Sequence, residues 1–326
     1  MAATLELQAL EGQLQLAGEV FPPVVLCPTE LTSVDEAVAW VAQHQSAIET
    51  LLSGAGAILL RGFALQDAHD FDAFSGAFGY PGFTYQESLS NAVRINYTER
   101  VFTANEAPPE VEIYLHHEMA QTPLSPDKLF FYCQSAAQTG GATPICRSDC
   151  LYRALLRADP ALADQFETLG LKYTTRMPAE DDHESGQGRS WRSTLSVDSK
   201  PEAEAKLASL GYGWVWSEND ALHATTPVLP AVKQLNNGKK VFYNQLVAAY
   251  MGWPGVRENP GLALKFGDDS DIPVAALELI ASLCEEFTFD IPWQDGDVAL
   301  IDNKMTMHGR RPYSGDRKRQ VLVALA

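Results

Sequence analysis

The sequence predicts an α+β fold built on a mostly antiparallel sheet, and three observations predict it. Short apolar runs that read as strands lie toward both ends of the chain. The middle is mostly helical and polar. No regular strand–helix–strand alternation joins them, as a parallel sheet would require. No repeat, low-complexity tract or Gly/Ser/Pro-rich linker divides the 326 residues. One domain over 1–326, with an insertion at about 148–235, is therefore expected rather than two joined domains. Apolar residues at 46% and charged residues at 20% exclude a disordered, collagen-like or coiled-coil chain.

The first helix is announced by Ser33-Val34-Asp35-Glu36, a capping box. Val34, Val38, Val41, Ile48 and Leu52 follow at helical spacing, and Gly54 is expected to end the run. Ala57 to Phe63 is a short apolar strand broken by Gly62, and Phe71, Phe74 and Phe78 mark a second amphipathic helix. Leu129 to Cys133 and Lys240 to Asn244 read as strands. The stretch from about Ser148 to Leu210 reads as a helical, polar lid carrying the acidic cluster Asp181, Asp182 and Glu184. Pro273 suits a first helical position, with Val274, Leu277, Ile280 and Cys284 on one stripe. Val298 to Ile301 and Val321 to Leu325 close the chain as strands.

Charge limits the partners. Acidic residues outnumber basic ones 42 to 24, a net −18, which argues against nucleic acid and anionic membrane. No apolar run approaches 18 residues, and the opening MAATLELQALEGQ has neither the basic nor the apolar part of a signal peptide. Five cysteines without a CxxC pair fit reduced thiols. A cytoplasmic protein acting on a small molecule is expected.

Two segments could carry chemistry together. In an extended stretch, positions i and i+2 share a side, so His116 and Glu118 of Leu115-His116-His117-Glu118-Met119 would present an imidazole and a carboxylate to one point. That is two thirds of the facial triad that holds non-heme Fe(II). His117 would face the other way. Seven histidines and 42 acidic residues in 326 give about 0.9 such pairs by chance, so the pair needs company. Near the C-terminus a strand leads to His308, and Arg317 and Arg319 follow a Ser-Gly turn. A third ligand with an arginine nearby suits an iron enzyme whose co-substrate is a carboxylate, because a guanidinium grips a carboxylate in a two-bond fork. A solvated basic turn is the plainer alternative. Gly140-Gly141-Ala142-Thr143 would let backbone approach closely and offer a hydroxyl, or form an ordinary turn.

Taken in order, these residues resemble the taurine dioxygenase/clavaminate synthase-like (TauD/TfdA) superfamily of Fe(II)/2-oxoglutarate oxygenases, and within it the amino-acid hydroxylases of syringomycin-type pathways. The matching stretches are Ile58 to Phe63, Tyr97-Thr98, Val101 to Thr103, Glu112 to Glu118, Phe130 to Cys133, Gly140 to Thr143, Gly188 to Trp191, Phe242 to Gln245 and His308 to Arg310. The resemblance implies a double-stranded β-helix (jelly-roll) core with flanking helices and a helical lid. It makes His116, Glu118 and His308 the iron ligands. Thr143 would bind 2-oxoglutarate together with Arg317, or with Arg319 as the alternative. Asn244 and Gln245 would lie near substrate or co-substrate, and Arg189 and Arg192 of the lid could meet a substrate carboxylate. Related halogenases replace the carboxylate ligand with a small residue, so Glu118 implies hydroxylation. Desaturation, epoxidation and cyclisation use the same cofactor chemistry and stay open. A non-catalytic metal-binding jelly roll is a further alternative. The substrate implied is an amino acid or derivative, free or carrier-tethered; a net charge of −18 favours the free form, because carrier proteins are acidic.

Overall fold

The computed structural model describes residues 4–83, 89, 94–104, 106–181 and 188–326. Among these, two sheets face one another. The larger has seven strands in the order Leu7–Gln8, Val24–Leu26, Ala57–Arg61, Val298–Asp302, Lys128–Ser135, Gln320–Leu325 and Val101–Thr103. The smaller has four: Thr288–Ile291, Thr143–Arg147, Thr306–Arg310 and Ile113–His116. All pairings in the two sheets are antiparallel except Val24–Leu26 with Ala57–Arg61. The expected α+β class with a mostly antiparallel sheet is found.

The period of two along each strand builds the layers. In the larger sheet Leu129, Phe131, Cys133, Ala299, Ile301, Val321 and Val323 point inward, to a core shared with Ile145, Phe289 and Ile291 of the smaller sheet. The alternate residues, Ile58, Leu60, Phe130, Tyr132, Val298 and Leu300, point outward onto helices α1 (Val34–Ala55) and α2 (Ala68–Gly76). Burial on both faces explains why these strands are nearly all apolar. A second core lies on the outer side of the smaller sheet. There Cys146, Met307 and Leu115 pack with residues of α3 (Ser148–Ala158), α4 (Pro160–Leu169), α7 (Leu246–Gly252) and α8 (Val274–Glu285).

The capping box at Ser33 forms as expected. Gly54, however, lies inside α1, and the helix ends at Gly56, whose φ of 83° is left-handed. The two extra residues have a cause that the local sequence hides. The Arg147 guanidinium donates to the carbonyls of Gly54 (3.2 Å) and Ala55 (2.9 Å) while it grips Asp149 at 2.8 and 2.9 Å. Pro273 sits at the N-cap of α8, one position before the helix. The strand expected over Lys240 to Asn244 stops at Val241, because Asn244 turns the chain into α7 by accepting from the Leu246 N–H at 3.0 Å.

The stretch from Ser148 to Leu210 is mostly helical as expected, with α5 (Trp191–Leu195) and α6 (Lys200–Ser209) in its second half. Strand Leu171–Met177 runs through it, however, and strands Gly213–Trp216 and Leu222–Thr225, which were not expected, follow it. These strands join Leu264–Phe266 in a four-stranded sheet. The core of this unit gathers Trp191, Leu195, Leu207, Leu222 and Leu89. α3 and α4, at the start of the expected insertion, pack both on the outer side of the smaller sheet and on Leu171, Tyr173 and Leu264 of this four-stranded sheet. Of the acidic cluster, Asp182 and Glu184 lie outside the described residues; Asp181 accepts from the Ser190 N–H at 2.6 Å.

Candidate metal centre

The smaller sheet brings the two histidines together. His308 and His116 are direct partners across their strands, with ring centroids 4.3 Å apart. Gly309 makes this pairing possible, since a Cβ there would stand 2.4 Å from the Ile113 carbonyl oxygen. The strand ends at His116, so Glu118 reaches the site from the following turn and not by strand alternation. Buried Asn303 holds that turn: it accepts from the Glu118 N–H at 2.7 Å and donates to the carbonyls of Glu118 (3.0 Å) and Pro126 (2.8 Å). His117 does face the other way. It is fully buried, bonded through Nδ1 to the Asn303 carbonyl, and packed on Tyr243.

The candidate ligand atoms of His116, Glu118 and His308 lie within 4.8 Å of one another, and no other such group of three occurs among the described residues. Glu118 Oε2 is 3.6 Å from His116 Nε2 and 3.3 Å from His308 Nε2. The donor chemistry asks for a cation. His116 Nδ1 lies 2.7 Å from the Tyr114 carbonyl, which can only accept, so Nδ1 carries the proton. Nε2 is then the ring atom that faces the Glu118 carboxylate. Burial, together with the nearby His116, pulls His308 down to about 4, so its ring is neutral at pH 7. Glu118 is held as an anion: burial alone would raise its pKa, but the adjoining His116 and His308 and the charge of Arg94 hold it well below the carboxylate range. Two imidazoles and a carboxylate facing one point are the donor set of the non-heme iron triad.

The surrounding pocket is lined by Thr143, Arg319, Arg94 and Phe131, among others. Thr143 is buried, and its hydroxyl accepts from the Trp293 indole at 3.0 Å. Arg319 donates through Nε to the Gly141 carbonyl at 2.9 Å. Gly141 is required here, because its φ is +72° and a Cβ would come within 3.0 Å of Arg319. Burial, with Arg310 close by, lowers Arg319 to about 10, which leaves it cationic at pH 7. A larger groove of about 870 Å³ lies against Val247, Tyr250, Glu278 and Cys284. It holds none of the three converging ligands, and chemistry outweighs size in choosing between them.

Several expected residues lie elsewhere. Arg317 is exposed and pairs with Asp295, so of the two candidate arginines the structure places Arg319 in the pocket. Asn244 and Gln245 do not line it. Their buried side chains brace backbone, Gln245 donating to the His117 carbonyl at 3.1 Å and Asn244 to that of Ala231 at 3.3 Å. Arg189 bonds Ser193 within its own turn, and Arg192 is exposed, stacked on Trp191 and bonded to the Ala179 carbonyl. Arg94, Asn303 and Trp293 were not expected. Only their positions reveal them, for no motif marks an arginine 24 residues before the carboxylate it meets.

The Taurine catabolism dioxygenase TauD, TfdA family model matches residues 29–325. The chain belongs to this family and is a 2-oxoglutarate-dependent non-heme iron dioxygenase, using Fe(II), 2-oxoglutarate and O2. It is 36% identical to the clavaminate synthase-like protein At3g21360 of Arabidopsis thaliana, over 94% of this chain and 92% of that protein. It is 26% identical to the dapdiamide synthesis protein DdaC of Enterobacter agglomerans, over 95% and 92% of the two chains. Among solved structures it resembles AAD-2 in complex with Mn(II) and N-oxalylglycine, with a TM-score of 0.55 at 16% identity, covering 99% of this chain and 97% of that one.

Proposed function

We propose that this dioxygenase hydroxylates an unactivated C–H bond of a small amino-acid-like substrate, with His116, Glu118 and His308 holding the iron. The two facing sheets are read as a jelly-roll core around that site. The observation that carries the reading is Glu118: a carboxylate occupies the third ligand position, with Oε2 turned to both imidazoles. Bound Fe(II) would supply the oxidative decarboxylation of 2-oxoglutarate to succinate and CO2, coupled to oxygen insertion. The chain's own residues do the rest. Arg319 and Thr143 bind the distal carboxylate of 2-oxoglutarate, the guanidinium by charge and the hydroxyl by a hydrogen bond. Trp293 orients that hydroxyl by donating to its oxygen, which leaves the Thr143 proton for the carboxylate. Phe131, 5.0 Å from the His308 ring centroid, keeps one wall of the site dry.

Similarity to a dapdiamide synthesis protein supports an amino-acid-like substrate and a place in specialised metabolism. Arg189 and Arg192 stay candidates for its carboxylate only if their lid turn rearranges. The five cysteines form no disulfide, which fits the cytoplasm. The test is aerobic incubation with Fe(II), 2-oxoglutarate and a panel of free amino acids, read by mass spectrometry. A gain of 16 mass units coupled to succinate is expected; a loss of 2 would replace hydroxylation by desaturation or ring closure. Glu118→Ala should abolish both products, and coupled turnover by that variant would overturn the ligand assignment.

A further inference from the structure

The two oxygens of Glu118 have different neighbours. Oε2 faces His116 Nε2 and His308 Nε2 at 3.6 and 3.3 Å. Oε1 faces the other way, 3.4 Å from Arg94 Nη2. Arg94 is itself anchored. Its Nη1 lies 3.3 Å from the Thr103 carbonyl, and its guanidinium sits 5.9 Å from the Phe102 ring centroid. The side chains of Arg94 and Glu118 are only 11% and 7% exposed, so little water competes for the contact. A charge-assisted bond in such a place is stronger than one at the surface.

We propose that Arg94 is a positioning residue that restricts Glu118 to one-oxygen ligation of the metal. The inference rests on the iron-site reading above. Its consequence is a count of positions. An octahedral ion has six, and two imidazole nitrogens and one carboxylate oxygen leave three. A 2-oxo acid that chelates through its 1-carboxylate and keto oxygen takes two, and one is left for O2. A carboxylate is able to bind through both oxygens, and then only two positions would stay open. By holding Oε1, Arg94 keeps the third. Thr103 and Phe102 matter because they fix the guanidinium against rotating away.

The test uses Mn(II) and N-oxalylglycine with the full chain, as wild type, Arg94→Gln and Arg94→Lys. Metal affinity is read from the electron paramagnetic resonance signal of free Mn(II), N-oxalylglycine affinity by calorimetry, and ligation from crystals of the Mn(II) complexes. Wild type should show Glu118 bound through one oxygen. Arg94→Gln should bind through both, and N-oxalylglycine affinity should fall about tenfold, the scale of losing an outer partner of a metal ligand. Arg94→Lys keeps a cation near Oε1 and should restore most of that affinity, which a purely packing role would not do. If Arg94→Gln fails to fold, the Arg94→Lys comparison and the wild-type ligation decide. Two-oxygen ligation in the wild type, or one-oxygen ligation with unchanged N-oxalylglycine affinity in Arg94→Gln, overturns the proposal. Failure of wild type to bind Mn(II) at His116, Glu118 and His308 overturns the site reading itself.

Discussion

The choice between two arginines shows what decides a role at the scale of single residues. Arg317 and Arg319 are two apart, and alternation would put them on one face of a strand. The strand begins only at Gln320, and its register shifts between Gln320 and Val321. Both arginines therefore lie in the turn, where alternation does not hold. Asp295 draws Arg317 outward, and Gly141 leaves room for Arg319 beside the pocket. Arg319→Ala should raise the KM for 2-oxoglutarate at least about tenfold, the worth of one charge-assisted bond. Arg317→Ala should leave it unchanged. Steady-state kinetics in 2-oxoglutarate separate the two, and the reverse pattern would restore Arg317. The three residues of the candidate metal site were legible in the sequence, because His116 and Glu118 sit close together and His308 follows a strand. Arg94 and Asn303 were not, since their partners are 24 and 185 positions away.

Elements show the same division between local and distant causes. α1 starts where its capping box says it should, because every group in that box lies within four residues. Its end is set from far away, by Arg147 on the Gly54 and Ala55 carbonyls and by Thr306, whose hydroxyl donates to the Gly56 carbonyl at 2.9 Å. Gly56→Ala should destabilise the protein by more than about 1 kcal/mol, since a left-handed φ alone costs an L-residue that much. The new Cβ would also stand 2.6 Å from Thr306 Oγ1. The urea midpoint reports it, and an unchanged midpoint would mean that the helix ends differently in solution. The lid's strands were missed for a similar reason. Gly213–Trp216 and Leu222–Thr225 are four residues each and make sense only when paired with one another and with Leu171–Met177.

The whole molecule carries the cost of burying imidazoles in one core. Burial pulls His117 to about 3 and His308 to about 4, from 6.5. The folded state holds both rings neutral, whereas the unfolded chain protonates them first. The stability they lend is therefore whole above about pH 6.5 and is lost as pH falls through 4 toward 3. The metal-free protein should show a melting temperature that drops across that window. A flat profile between pH 6.5 and 4 would mean that the rings are not buried neutral. Saturating Mn(II) at pH 7 should raise the melting temperature, because the ion binds only the folded triad.

The central claim is that His116, Glu118 and His308, from two strands and a turn, surround one ion. Anaerobic titration of Fe(II) into the wild type and into His116→Ala and His308→Ala tests it most directly. One Fe(II) per chain is predicted for the wild type, with tight binding lost in each variant. Undiminished Fe(II) binding in either variant would contradict the account.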